Sequence, residues 1–406
     1  MFTPKKLVLI LLFLALLSEF TSSKRIDFNP EFTQKNPIVI IPGLSGSKLK
    51  YKLTDFKSKH VFCKDNADWE RLWLKFDLFV PPFVDCLKEV MTLNYDPKTK
   101  KSLPPTGVEI KTYTGIDGII DLDPSLPSWH PYFKDMIESF RSIGYSDDQN
   151  LFGLPYDFRQ DVYNLEDYLK LVQTTVENSY ILNGNKSIIL IVHSYGSLLS
   201  GYLTNKLGKP WVNKYIQETI YIAPASGGVL ETVKSISTGN NFGDFLISDK
   251  SMIGMDRTFP SVYYTLPNNE TWNDYIVLSS NKNYKANKKD YLDLFKELGL
   301  EQSSFDIFEQ TSSYKYFHQP YSKSIVMYGY GQDTPVQLVY EGKIGSDKFK
   351  YVNSDGDSTV PKDVVLQLCK NWGVECKGYS GTTHVGIVKE KTVIQDLIKN
   401  VLENQT

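Results

Sequence analysis

The sequence predicts an α/β fold with a mostly parallel sheet, and two observations support this. Short apolar runs that end in Gly, Pro or Ser recur along the chain, as buried strands do. Helical patterns separate them, which is typical of strands joined by crossover helices. One such helix begins near Pro131 and ends at Gly144, because its apolar residues recur every three or four positions. The predicted strands are 38–41, 188–192, 219–223 and 324–328.

The second of these strands stops abruptly at a serine. The run 188–192 is followed by His193-Ser194-Tyr195-Gly196 and then by helix-compatible residues. A serine on such a strand-to-helix turn is the nucleophile elbow of α/β-hydrolases, where the hydroxyl stands above the sheet edge. The pattern is G-x-S-x-G, and Val192 occupies its first glycine position. We therefore predict Ser194 as a nucleophile, the alternative being a serine in an ordinary βα turn.

The rest of the chain supplies partners in the right order. α/β-Hydrolases carry their triad as Ser, then Asp or Glu, then His. Of the five histidines, only His384 follows both the elbow and an acidic turn, so it is the predicted base. Two aspartates of that turn compete for the acid. We favour Asp357, which stands where a strand ends, to orient the imidazole, and interpret Asp355 as a loop residue that bonds its own backbone.

Stabilisation of an oxyanion requires two backbone N–H donors near the nucleophile. One is expected from Tyr195, the residue after the serine. The other is expected from Leu44, because Pro42 and Gly43 break the first strand and begin a glycine-rich loop. A phosphate-binding interpretation of this loop is disfavoured, since its glycines and lysine do not have the G-x-x-x-x-G-K-[ST] spacing.

The N-terminal residues have the pattern of a targeting segment. Lys5 and Lys6 precede the apolar block 7–17, and small residues extend to Ser23. This pattern predicts a signal peptide at 1–23. A membrane span is disfavoured, because the apolar block is shorter than the roughly 20 residues that a span needs. The mature chain, 24–406, is then expected on the secretory route, in the lysosome or outside the cell. A formal net charge of −2 without a long basic run disfavours nucleic acid as a partner.

Cysteine usage agrees with that route. The four cysteines form no C-x-x-C pair, so disulfides are expected rather than zinc, and no metal is predicted. Three pairings are possible, and proximity favours Cys63 with Cys86 and Cys369 with Cys376. The asparagines of N-x-[ST] sequons, which are candidates for glycosylation, are Asn185, Asn269 and Asn404.

Two stretches do not fit a hydrolase core. The segment 56–94 is apolar and aromatic with few compensating charges, and we interpret it as a lid that docks on lipid, the alternative being core packing. The segment 228–319 is too long for a simple crossover and is predicted to be a cap over the active site. The residues expected to contact lipid are Trp73, Phe76, Phe79 and Phe83.

Several motifs carry a family resemblance. They include Ile-Ile-Pro-Gly-Leu-Ser-Gly-Ser-Lys-Leu at 40–49, Gly-Leu-Pro-Tyr-Asp-Phe-Arg at 153–159, the elbow, Asp-Gly-Asp-Ser-Thr-Val at 355–360 and the late histidine. In combination they resemble the lecithin:cholesterol acyltransferase family, from about Asn36 to the C-terminal helix. The resemblance implies an α/β-hydrolase fold with a cap and a membrane-contacting subdomain tied by Cys63–Cys86. It implies no metal or organic cofactor. The site residues that it implies are the triad Ser194, Asp357 and His384, and the oxyanion donors Leu44 and Tyr195.

The resemblance also implies an activity. It predicts a serine lipid acyl hydrolase and acyltransferase that cleaves a fatty-acyl ester of glycerophospholipids at a phospholipid membrane or lipoprotein surface. The acyl group would pass to water or to an alcohol such as a sterol. Two alternatives stay open: a neutral-lipid carboxylester hydrolase, and a lipid-binding protein that keeps the scaffold without the chemistry.

Overall fold

The computed structural model describes residues 35–123, 131–240, 248–313 and 319–403, so the predicted signal peptide and Asn404 lie outside the described residues. The strands are β1 Ile38–Ile41, β2 Leu49–Leu53, β3 Ala67–Trp73, β4 Asn94–Asp96, β5 Lys101–Leu103, β6 Val108–Thr112, β7 Leu151–Gly153, β8 Ile188–His193, β9 Ile216–Ile222, β10 Tyr275–Leu278, β11 Tyr284–Lys285, β12 Lys323–Tyr330, β13 Gln332–Tyr340, β14 Phe349–Gly356 and β15 Glu375–Ser380. The helices are α1 Phe83–Met91, α2 Asp117–Ile120, α3 Lys134–Ser142, α4 Glu166–Leu182, α5 Gly196–Tyr215, α6 Leu230–Ser237, α7 Asp249–Asp256, α8 Pro260–Tyr264, α9 Lys288–Leu298, α10 Gln302–Ser313, α11 Lys362–Trp372 and α12 Lys391–Glu403.

The central sheet confirms the predicted fold class. Six strands lie in the order β15-β12-β9-β8-β1-β7, and every neighbouring pair is parallel. All four strands predicted from the sequence belong to this sheet. Because the strands are parallel, their carboxyl ends meet at one edge, where the loops after β1, β8 and β12 converge. The predicted nucleophile follows β8, one of the inner strands.

Helices cover both faces of this sheet, which explains why its strands read as continuous apolar runs. Ile189 and Ile191 of β8 pack into a cluster with α3 and α12. Leu190 and Val192 point the other way and pack with α4, α5 and α11. All four side chains are buried. Truncating one such isoleucine to alanine typically costs about 2–5 kcal/mol of stability, so both layers depend on the period-two pattern of the strands.

The aromatic segment forms part of a small antiparallel sheet. Strand β3 pairs with β2, and β2 pairs with β6. The structural unit is therefore wider than the interval 56–94, because β2 and β6 lie on either side of it. A disulfide between Cys63 and Cys86 joins the loop after β2 to α1, with the two Cα atoms 5.5 Å apart.

The region 228–319 contains α6 to α10 with β10 and β11. Strand β10 pairs in parallel with β13, which forms an antiparallel pair with β14, so this region joins a second sheet that lies outside the interval. The other disulfide, Cys369–Cys376, ties α11 to β15. Across 35–123, 131–240, 248–313 and 319–403, no helix combines the length and apolarity needed to cross a membrane.

Candidate active site

The serine after β8 sits on a tight and strained turn. Ser194 has a φ of +52°, a region that residues other than glycine seldom occupy. Its N–H donates to the carbonyl of Ile222 at 3.0 Å, which anchors the turn to the neighbouring strand. A Cβ on Gly196 would lie only 2.8 Å from the carbonyl oxygens of Ile41 and Pro42. Glycine is thus needed there, because the helix begins against the first strand.

The turn brings Ser194 into a chain of hydrogen bonds with the two downstream residues. Ser194 Oγ lies 2.8 Å from His384 Nε2, and His384 Nδ1 lies 2.8 Å from Asp357 Oδ2. All three residues are buried, with exposures between 1% and 8%. A nucleophile bonded to a base, itself oriented by a carboxylate, is the arrangement that activates serine hydroxyls.

The environment of the two aspartates separates their roles. Asp357 Oδ1 accepts bonds from the N–H groups of Val360 and Thr359, at 2.7 and 3.0 Å, which leaves Oδ2 for the imidazole. The backbone also ties the two loops, since His384 N–H donates to the Asp357 carbonyl at 2.7 Å. Asp355 is exposed and pairs with Lys362. A bond from the Gly331 N–H, and then Lys362, hold the pKa of Asp355 below its ordinary value.

The loop after β1 lies against the nucleophile. A Cβ on Gly43 would come within 2.8 Å of Ser194 Cβ and 2.9 Å of His193 Nδ1. The residue that follows, Leu44, lines the same cavity as Ser194 and Tyr195. Tyr195 precedes the first turn of α5, where backbone N–H groups have no acceptor within the helix. The structure therefore brings together the two backbone segments predicted to bind an oxyanion.

A buried relay that the sequence did not reveal connects this loop to the base. Gly43 N–H donates to the Tyr132 hydroxyl at 2.9 Å, and that hydroxyl lies 2.5 Å from His193 Nδ1. His193 Nε2 lies 2.9 Å from the backbone carbonyl of His384. A carbonyl only accepts, so Nε2 carries the proton and Nδ1 accepts from the tyrosine. Burial lowers the pKa of His193 to about 3, which keeps the ring neutral.

A family comparison agrees with this site. The model of the lecithin:cholesterol acyltransferase family matches residues 69–325, well over half of the chain. The chain belongs to the lecithin:cholesterol acyltransferase family. The matched span includes Ser194 and ends before Asp357 and His384, so their placement rests on the geometry described above.

Individual relatives of this family cover most of the chain. "Lysosomal phospholipase A and acyltransferase" of Rattus norvegicus is 27% identical over 376 residues, covering 90% of each chain. "Phosphatidylcholine-sterol acyltransferase" of Mus musculus is 24% identical over 340 residues, covering 83% of this chain and 77% of the relative. A chain in the crystal structure of the Tle4-Tli4 complex aligns with a TM-score of 0.53 at 13% identity, over 91% of this chain and 98% of that chain. That last likeness concerns the fold alone.

The candidate active site opens into a cavity of 710 Å³, a size typical of ligand pockets. Ser194, His384 and Leu44 form part of its lining, and Tyr132 also reaches it. Much of its apolar lining comes from the end of β3 and the residues that follow it, with further side chains from the region 228–319. Its side chains are Trp73, Leu74, Phe76, Phe79, Leu122, Phe158, Phe259 and Val262.

The four predicted lipid-contacting aromatics divide into two pairs. Phe76 and Phe83 are 36% and 47% exposed, whereas Trp73 and Phe79 are each only 4% exposed. The interpretation as a surface that docks on lipid therefore does not fit Trp73 and Phe79, whose burial agrees with the alternative of core packing. Trp73 Nε1 donates to the Ser45 carbonyl at 2.8 Å, and its ring packs against Phe79 and Phe158. That bond and those contacts draw Trp73 inward, where it supports the loop after β1.

Arg159, part of the Pro-Tyr-Asp-Phe-Arg motif, has a structural role that the sequence did not reveal. Its guanidinium is fully buried and forms two bonds to the carboxylate of Asp157, at 2.9 and 2.6 Å. A third bond, of 3.0 Å, reaches the carbonyl of Met91 at the end of α1. The motif thus fastens the disulfide-tied segment to the hydrolase core. The sequence could not reveal this role, because Met91 lies 68 residues from Arg159 along the chain.

Proposed function

We propose that this protein is a serine lipid acyl hydrolase and acyltransferase that cleaves a fatty-acyl ester of a glycerophospholipid. The observation that carries the proposal is the bonded series Ser194, His384 and Asp357 at the base of a largely apolar cavity. Relatives named for phospholipase A, phosphatidylcholine and sterol acyl transfer support the substrate class.

The first half of the proposed reaction forms an acyl-enzyme. Ser194 Oγ attacks the acyl carbonyl carbon while His384 Nε2 takes the hydroxyl proton. Asp357 accepts the bond from Nδ1–H and stabilises the imidazolium that forms. The N–H groups of Leu44 and Tyr195 bind the oxyanion of the tetrahedral intermediate. The ester bond then breaks, the lysolipid oxygen takes the proton from His384, and an acyl group remains on Ser194.

The second half runs the same steps with a different oxygen. Water or an alcohol gives its proton to His384 and attacks the acyl-serine carbonyl. When the intermediate collapses, the proton returns to Ser194 Oγ, and a free fatty acid or a new ester leaves. The apolar wall opposite Ser194 limits the water near the acyl-enzyme, which favours an alcohol held in the cavity.

The location of the cavity suggests how lipid enters. Phe76 lies on its lining and is partly exposed, and Phe83 is exposed on the adjoining α1. We propose that these two side chains contact a phospholipid membrane or a lipoprotein surface. We also propose that the segment 56–94 acts as a lid and the segment 228–319 as a cap.

We propose the secretory route for this protein, with the lysosome or the extracellular space as its destination. The predicted signal peptide supports this, as do relatives named for the lysosome. Asn185 and Asn269 are both exposed, so glycosylation at these sequons would meet no steric obstacle.

The deciding experiment compares the wild-type protein with Ser194→Ala. Both are incubated with phosphatidylcholine liposomes that contain cholesterol or a short-chain alcohol, and the products are identified by mass spectrometry. We expect lysolipid and free fatty acid from the wild type alone, together with an ester of the added alcohol. The variant should lose at least about 10³-fold in rate, because Ser194 supplies the attacking atom.

Other outcomes would contradict the proposal. Equal turnover by both proteins would show that Ser194 is not the nucleophile. Liposome binding without products would favour the non-catalytic lipid-binding alternative. Faster cleavage of triacylglycerol or steryl ester than of phospholipid would favour the neutral-lipid alternative.

A further inference from the structure

One wall of the active-site cavity is polar, and the reaction steps above leave it unused. Glu231, near the start of α6, lines the same 710 Å³ cavity as Ser194 and His384. Thr232 and Ser235 of the same helix line it too, with Asp256 from α7. This wall interrupts a cavity that is otherwise mainly apolar, and polar groups in such a pocket generally fix the orientation of a ligand.

One oxygen of the Glu231 carboxylate lacks a partner. Its Oε2 atom is buried and accepts no hydrogen bond from the residues that the structure describes. Asp256 differs, because its Oδ2 accepts the N–H of Asn240 at 2.7 Å. A buried acceptor without a donor is costly, and native structures seldom keep one without a reason. Glu231 is therefore the group of this wall that is best placed to accept a bond from a ligand.

The charged groups around Glu231 do not neutralise it. The charge of Lys234 lowers the pKa of Glu231. The Lys234 ammonium, however, lies 2.8 Å from Asp249 Oδ2 and pairs with that carboxylate. His384 lowers the pKa of Glu231, whereas Asp357 raises it. Burial and then the charge of Glu231 raise the pKa of Tyr351. Burial raises the pKa of Glu231 to about 7. In either protonation state the side chain keeps an acceptor oxygen, and it lines the same cavity as Ser194 and His384.

We propose that Glu231 determines specificity by accepting a hydrogen bond from an N–H or O–H group of the bound lipid or of the acceptor alcohol. The inference rests on the proposed function, because it assigns a role within the same cavity. The donor has two possible sources: the phospholipid head group, or the alcohol that attacks the acyl-enzyme. A primary ammonium donates hydrogen bonds, whereas a trimethylammonium of equal charge cannot. Phosphatidylethanolamine and phosphatidylcholine therefore distinguish hydrogen bonding from charge alone.

The test uses three variants of the full chain. Glu231→Met removes the acceptor at similar length, and Glu231→Gln keeps one acceptor oxygen without the charge. Glu166→Gln is the matched control, because Glu166 is exposed at the start of α4 and is not part of the cavity lining. Vesicles contain equal amounts of phosphatidylethanolamine and phosphatidylcholine with the same acyl chains, plus a fixed concentration of a short-chain alcohol. Mass spectrometry gives two ratios: lysophosphatidylethanolamine to lysophosphatidylcholine, which is the lysolipid ratio, and ester to free fatty acid, which is the ester ratio.

Glu231→Met should lower one of the two ratios about tenfold, which is the effect of one hydrogen bond to a charged group. Glu231→Gln should lower the same ratio roughly threefold, and Glu166→Gln should change neither. A fall in the lysolipid ratio identifies the head group as the donor, and a fall in the ester ratio identifies the alcohol. If the wild type cleaves phosphatidylcholine but both ratios are unchanged in Glu231→Met, the inference is wrong and the proposed function stands.

A binding experiment covers the case in which phospholipid is not cleaved. Non-hydrolysable diether analogues of the two phospholipids are presented to Ser194→Ala, with and without Glu231→Met. A preference for the ethanolamine analogue that disappears with Glu231→Met supports the head-group arm without any turnover. If cleavage is absent and the preference is the same in both proteins, the proposed function and the inference both fail.

Discussion

The two sides of the active-site cavity are built on different principles. On the catalytic side, Ser194, His384 and Asp357 are buried, and each polar atom that acts is held by a bond of 2.7–3.0 Å. On the aromatic side, Phe76 lines the cavity and Phe83 lies outside its lining on the neighbouring α1, and both rings are partly exposed. Chemistry needs atoms fixed to within fractions of an ångström, whereas contact with lipid needs only apolar area.

Packing reinforces this contrast. Beneath the aromatic side lies a second cavity of 560 Å³, between β2, β3 and α1, whose lining does not include the triad. Its lining includes the exposed Phe62 and Phe83, so this cavity opens at the protein surface. The members of its apolar lining include Leu53, Phe56, Leu72, Leu87 and Val90. We expect mutations on the catalytic side to affect every substrate, and mutations on the aromatic side to affect lipid aggregates.

The largest expected effect separates the two aspartates of the acidic turn. Asp357→Asn should lower kcat about 10³–10⁴-fold on both liposomes and a short soluble ester, because the amide favours the wrong imidazole tautomer. Asp355→Asn should change kcat less than about threefold, since its side chain bonds Gly331 and Lys362 instead. Steady-state kinetics on both substrates give the comparison, and equal losses for the two variants would refute the assignment.

The next effect tests the buried relay. Tyr132→Phe removes the hydroxyl that joins Gly43 N–H to His193 and leaves two buried groups without partners. A displacement of the loop after β1 by about 1 Å can cost up to 10²-fold in rate, so we expect kcat for the soluble ester to fall about 10–100-fold with KM nearly unchanged. The rate of Ser194 labelling by a fluorophosphonate should fall in parallel. A variant that is less stable yet labels at the wild-type rate would make Tyr132 purely structural.

The aromatic side should show a substrate-dependent effect. The double variant Phe76→Ser/Phe83→Ser should lower activity on liposomes about tenfold, because each exposed ring contributes apolar area to lipid contact. Activity on a short soluble ester should stay within about twofold. Leu171→Ser/Ile181→Ser is the control, since both side chains are exposed on α4 and outside the cavity lining. Parallel losses on both substrates would contradict lipid docking by this side.

The smallest effect concerns stability rather than rate. Between pH 4.5 and about 7, folded Glu231 keeps a proton that the unfolded chain releases, so wild-type stability falls as pH rises through this range. The shift corresponds to about 3 kcal/mol above pH 7. Glu231→Gln should therefore raise Tm by about 2–5 °C at pH 8 and hardly change it at pH 4.5. Scanning calorimetry at both pH values checks this, and a pH-independent difference would show that the carboxyl is not buried as described.

The fold class could be predicted from the sequence alone, and so could Ser194 and His384 as candidates for the nucleophile and the base. Short apolar runs, a serine between a strand and a helix, and a histidine after the acidic turn are local signals, and local backbone preferences produce them. The same holds for Gly196, whose place in the motif follows from the strand-to-helix turn.

Other features of the site depend on contacts that form only when the chain folds. The structure bonds Asp357, which the sequence already favoured, to His384; it also turns Trp73 and Phe79 inward and connects Tyr132 to His193 across 61 residues of chain. It also leaves Glu231 Oε2 without a hydrogen-bond partner among the residues that the structure describes. These outcomes depend on which distant groups meet, and a sequence pattern records residue types but not contacts between segments far apart in the chain.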